Sequence, residues 1–169
     1  MKKLITLTIG IIFTFIPLTE ITAQSKVAHI NTQELISEMP EVISAQKELK
    51  KLEEQYAKEL ESSVKEFQTK AQTYAGDAQN QTELINQQRQ SELEGMQQRI
   101  QEFRDTASQE LQKRSAEMMK PLYDKARSAI EKVASAQGFD YVLDSSNGGS
   151  VIMASGKDLS TEVKKELGF

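Results

Sequence analysis

Few side chains in this 169-residue chain have the type and spacing that chemistry demands. His29 is the only histidine and cysteine is absent, which excludes a disulfide framework, a thiolate zinc site and a thiol redox centre. A lone imidazole with no carboxylate at a fixed spacing is far more often a packed or partly exposed side chain than a base or a ligand. Asp140 and Asp144 stand four apart on a strand-like run, which puts both on one face. Two carboxylates so placed could divide general acid–base work between them, but solvation of the two ends of a short strand explains them better. No Ser/His/Asp set and no Gly-rich phosphate loop accompanies them. The sequence reads as a non-enzyme, with no catalytic residue, no cofactor and no metal site.

Charge narrows the partners. The formal net charge is −4. Residues 1–23 read as a secretory signal: Lys2 and Lys3 form its basic start, an apolar run follows, and Ala23 offers a cleavage point. The run is shorter than the ~20 residues needed to span a bilayer, so cleavage is expected rather than a lasting anchor. Its removal takes away Lys2, Lys3 and Glu20 and leaves 19 basic against 24 acidic residues, or −5. Such a protein has no general attraction to nucleic acid or anionic lipid. It is expected outside the cytoplasm, in the periplasm, with no stable membrane insertion after cleavage.

The elements that must position these groups are mainly helical. In residues 41–136, here read as one arm unit, apolar residues recur in steps of three and four. The first stripe is Leu49, Leu52, Tyr56, Leu60, Val64, Phe67, Ala71 and Tyr74. The second runs through Leu93, Met96, Ile100, Phe103, Ala107, Leu111, Met118, Leu122, Ala126, Ile130 and Val133. That spacing is one stripe along an α-helix. Two such stripes joined by a polar turn hide from water by facing each other, as a long antiparallel hairpin with arms of about 50 and 80 Å. The reversal falls at Gly76–Asn80, with Gly76 expected to end the first helix in a left-handed conformation and Asn80 to pair with Glu83 as a cap. Gly95 and Pro121 weaken the returning helix, and both are expected to act as hinges. The tip is polar: residues 68–98 hold nine glutamines, four acids and two bases.

The ends of the mature chain, residues 24–40 and 137–169, read as a small β body that serves oligomerisation. Strands are expected at 26–31, at 139–144 and, after a Gly-rich hairpin turn, at 151–154, followed by a helix over 159–167. Three short strands cannot close a sheet, and they carry apolar residues on both faces. Val27, Ile30, Tyr141, Val142, Leu143, Val151, Ile152 and Met153 are therefore expected to contact other copies of the chain.

Taken in order, the elements and three segments resemble the Skp/OmpH family of periplasmic chaperones. The segments are AHINTQELISEMPEV (28–42), KPLYDKARSAIEKVASAQGFDYVLD (120–144) and KDLSTEV (157–163). The resemblance implies an α+β homotrimer in which strands of three subunits form a β-barrel and three helical hairpins enclose a cavity. It implies an ATP-independent holdase whose partners are unfolded outer-membrane proteins. The best-studied members of that family are basic where this chain is acidic, so no lipopolysaccharide-binding residue is carried over. The competing reading is an exported structural coiled coil of the envelope without chaperone activity.

Overall fold

The structure is a computed structural model that describes residues 25–148 and 151–169. The expected signal segment lies outside the described residues. The chain is built on a four-residue strand, β1 (Val27–Ile30), that becomes the middle of a three-stranded sheet. On one side lies β2 (Tyr141–Asp144), on the other β3 (Lys157–Asp158), both parallel to β1. Parallel neighbours cannot be joined by a tight turn. The connection from β1 to β2 is accordingly long, and it holds α1 (Thr32–Glu38), α2 (Pro40–Asp77) and α3 (Glu83–Ala136). A last helix, α4 (Ser160–Leu167), follows β3.

Local chemistry sets the boundaries. Asn31 caps α1, its side chain accepting the Glu34 N–H at 3.0 Å and donating to the Glu34 carboxylate at 3.2 Å, a reciprocal cap. Pro40 opens α2, where its missing N–H costs nothing. Gly138 ends α3 at φ +69°, a conformation that costs glycine little, and the Phe139 N–H then reaches back to the Ala134 carbonyl at 3.0 Å.

α2 has 38 residues and α3 has 54, so α3 outruns its partner. The extra turns enter the body, where Ala126, Ala129, Val133 and Ala134 are buried against the sheet and the short helices. Small residues let the sheet come close to the helix axis. The rest of that core is Ala28, Ile30, Leu35, Met39, Val42, Leu159 and Val163. Above it the apolar stripe of α2, from Leu52 to Tyr74, is only half-buried. Two helices touch along a line, and a third surface would be needed to cover the flanks of that line.

Four expectations need correction. Residues 151–154 are not a strand and no β-hairpin forms: β1 occupies the place beside β2 that the hairpin partner would take, and β3 pairs with the other side of β1. Ile30, expected between copies, is 1% exposed in the subunit's own core. α2 runs through Gly76, which has no positive φ, and the chain reverses through a tight helical turn over Ala78–Asn80. The cap of α3 is Thr82, whose hydroxyl accepts the Ile85 N–H, because the Asn80 side chain is turned to Asp77 instead.

α3 continues through both Gly95 and Pro121. A Cβ added at Gly95 would meet only Arg99 Nη1, at 3.4 Å, the far end of a flexible side chain. Gly95→Ala is therefore expected to stabilise the arm by roughly 0.5–1 kcal/mol, the ordinary helix-interior difference. Thermal unfolding followed by circular dichroism measures it, and a lowered midpoint would show that the glycine is needed for space.

Candidate functional site

The groups that could have done chemistry are occupied with structure. Asp140 accepts the Lys26 N–H at 2.8 Å. Asp144 accepts from the Thr32 hydroxyl at 2.6 Å and from the Thr32 and Ser146 N–H groups. Burial pushes the Asp144 carboxyl up, but those hydrogen bonds outweigh it and hold it below its ordinary value. His29 is half-buried with Nδ1 3.3 Å from the Ser145 hydroxyl. Its register partner on β3, Asp158, is also pushed up by burial. Ser160, donating through both N–H and Oγ, outweighs that and keeps it low. Among the described residues no three metal-ligating side chains gather, and no helix is long and apolar enough to cross a membrane.

The surfaces that remain are apolar. On the sheet, Ala28 and Ile30 face the helices, while Val27 and its register partner Tyr141 lie on the opposite, open face with Leu143. Tyr141 is 59% exposed. Beside β2 a groove of about 760 Å³ runs between the strand, α1 and the body end of α3, floored by Leu35, Ile36, Ile130, Phe139 and Val142. Beyond β2 the chain carries Val151, which is half-buried, then Ile152 at 102% and Met153 at 81% exposure. The expected inter-copy residues thus divide in three. Val27, Tyr141 and Leu143 share the open face; Val142 lines the groove; Val151, Ile152 and Met153 lie on irregular backbone, the last two projecting from it. Ile30 joins none of them. The expected hinges lie elsewhere, on the arm: Gly95 well out toward the tip, Pro121 near the base.

The seam between the arms changes character with distance from the body. Near the base, ion pairs flank it, Lys125 with Glu41 and Arg114 with Glu48. Midway, Tyr56 and Phe103 meet edge to face, 5.9 Å between ring centres. A second groove, about 870 Å³, opens at the arm base between Leu49, Leu111, Met119 and Tyr123. At the tip the contact is polar. Glu92 receives both Lys70 and the Tyr74 hydroxyl, at 2.5 and 2.6 Å. Arg89 stacks over the Tyr74 ring at 4.6 Å and donates to Asp77 at 3.1 Å, and Asn86 ties back to the Ala78 carbonyl. Sequence reasoning placed Tyr74 on the apolar stripe and missed this clasp. Its signal was there: Lys70 precedes Tyr74 by four and Arg89 precedes Glu92 by three, polar residues one turn apart beside the expected reversal.

Comparison with known proteins matches residues 26–167 to the family model for outer membrane proteins of the OmpH-like kind. A solved structure of a candidate outer membrane chaperone (OmpH-like) from Caulobacter crescentus CB15 superposes with a TM-score of 0.76 at 16% identity. It covers 86% of this chain and 85% of its own. No curated protein matches.

The clasp has a definite pH signature. Lys70, then Tyr74, hold the Glu92 carboxyl below its ordinary value, and Arg89, then Asn80, do the same for Asp77. Groups with lowered folded pKa stabilise the fold above the ordinary carboxylate range and lose that contribution as pH falls through the folded value. Lys70 is raised by its bond to Glu92, so its share is lost only at alkaline pH. The tip should therefore be the first part of the arm to open in acid. Hydrogen exchange of tip amides over an acid series should show them losing protection before the mid-arm, and Glu92→Gln should bring that loss forward to neutral pH. Equal protection of tip and mid-arm throughout would contradict it.

Proposed function

Because this chain belongs to the OmpH-like outer membrane protein family, we propose that it is a periplasmic, ATP-independent holdase chaperone. It would hold unfolded outer-membrane proteins between its arms and prevent their aggregation. The observation that carries this is the distribution of uncovered apolar surface: a sheet face and groove in the body, and a half-buried stripe and groove along the arm base. The first supports self-assembly, here proposed as a homotrimer in which the body sheets complete a barrel. Three hairpins would then hang side by side around a space. The second supports weak, repeated apolar contact with a client whose strand edges and apolar faces are exposed in transit. A structural spacer would have no use for an open groove at the arm base.

The arms carry little net charge, and many of their charges are already paired across the seam or along one helix. Client holding is therefore assigned to apolar and backbone contact. Suppression of aggregation of a urea-denatured β-barrel membrane protein, with light scattering as readout, tests the holdase reading directly. A spacer would leave the scattering unchanged. Raising salt beyond the range where the Debye length is ~8 Å should leave client affinity nearly unchanged or slightly tighter. A steep loss with salt would show that charge does the holding.

The arms must also bend around clients of different size, and Pro121 is the assigned bending point, since its ring removes one backbone bond beside the body. Amides of residues 118–123 should exchange faster than those around Leu111. If they are equally protected, no hinge is present.

A further inference from the structure

Just inside the tip clasp, on one flank of the seam, the two arms leave a recess of about 250 Å³. Its walls are Met96, Ile100 and Phe103, and its rim carries Glu66, Lys70 and Arg99. Met96 is only 7% exposed, although its neighbours on the outer seam, Phe67, Tyr74 and Leu93, are half-buried. Phe103 is held edge to face against Tyr56, which fixes that wall. The recess has room for one large side chain and not for a helix.

The recess shares Lys70 with the clasp. The Lys70 ammonium has two carboxylates within reach: Glu92 across the seam at 2.5 Å, and Glu66, one turn back on its own helix, at 3.7 Å. Turning from Glu92 to Glu66 therefore strands no charge on the lysine. Glu92 in turn keeps the Tyr74 hydroxyl at 2.6 Å, and after Lys70 and Tyr74 the Arg99 charge also favours its ionised form. Each member of the pair has a second partner, as an element with two positions requires. These groups are partly exposed, so the exchange costs little.

The geometry points to a gated side-chain pocket: Lys70 closes the recess while it bridges to Glu92, and opens it to a large aliphatic or aromatic client side chain when it turns to Glu66. The inference rests on the holdase reading and gives it a local site. The occupant is a client segment rather than another arm, because the recess admits one side chain, whereas a packed helix presents a row of them at every third or fourth position. The recess also continues the half-buried stripe of α2 on which client contact is proposed. A pocket that is closed part of the time lowers client affinity by the fraction closed, so each such contact stays weak and reversible.

The chain has no cysteine, so a pair can be introduced without background. Full-length protein carrying Lys70→Cys and Glu92→Cys has lost the bridge and should stand open, and joining its two thiols with a short bifunctional reagent should close it again. Glu92→Gln, which keeps the side-chain shape and weakens the hold on Lys70, is the second variant. At neutral pH toluene, a small apolar probe, should move the carbon-13 methyl resonance of Met96 in the unbridged chain and much less in the bridged one. Met96→Leu assigns that resonance by its loss. A urea-denatured β-barrel membrane protein should bind the unbridged chain and Glu92→Gln about fivefold more tightly than the bridged chain. Equal toluene shifts in bridged and unbridged chains, or none in either, overturn the gate. Equal client affinity in all three overturns the client side chain as occupant. A Met96 shift on raising the protein concentration alone would give the recess to another copy and also overturn it. A toluene response that follows the bridge, in a protein that nowhere suppresses aggregation, would leave the gate standing and remove the holdase reading instead.

Discussion

Everything in this protein depends on one four-residue strand being held from both sides by the far end of the chain. β1 pairs with β2 across more than a hundred residues of intervening sequence, and with β3 further on still. Lys26, just before it, fastens the junction three ways. Its N–H goes to Asp140, its ammonium to the Gln137 carbonyl at 2.6 Å, and the same ammonium lies 4.3 Å from the centre of the Phe139 ring. The usual crossover between parallel strands is a single helix laid on the sheet. Here the crossover is drawn out into a hairpin, and most of the molecule is its length. Loop closure over such a distance costs entropy that grows only slowly with length, so a long arm is scarcely harder to close than a short one. The body core, built from Ile30, Leu35, Met39, Leu159 and Val163, has to offset it.

From that anchor outward the forces change in order. The body is held by fully buried aliphatic side chains, the middle of the arm by an aromatic contact on a half-buried seam, and the tip by charge and hydrogen bonding. Apolar contact does not titrate and is not weakened by salt screening, whereas exposed ion pairs depend on both pH and salt and contribute little each. The arm is thus robust where it joins the body and conditional at its end. At the tip, polar side chains also close the reversal itself, tying Asp77 to Arg89 and Ala78 to Asn86. Leu84, beside the reversal, stays 65% exposed.

Most of this was legible from spacing. The two helical stripes and the polar reversal between them follow from residue type and period, because helices are local and declare themselves locally. The strands were harder. Residues 139–144 and 151–154 read as a hairpin because sequence neighbours often pair, whereas the actual partner of β2 is the strand at the other end of the chain. Nothing in the period of a strand says what lies beside it. The tip clasp was missed for a related reason: Lys70, Arg89 and Glu92 look like solvated charges until the register of the two arms brings them within bonding distance. The distribution of Val27, Ile30 and Val142 over different faces likewise required knowing which side of the sheet the helices cover.

α3 is also a lever. It is one rod of about 80 Å, and its last three turns are cemented into the body by Ala126, Ala129, Val133 and Ala134. A sideways push on the far end acts through that length as torque on a core only a few side chains across. Pro121 stands at the fulcrum, one turn from the Lys125–Glu41 pair that braces the base. Load taken up by the arm is therefore felt in the body, at the strands on which the last turns of α3 pack.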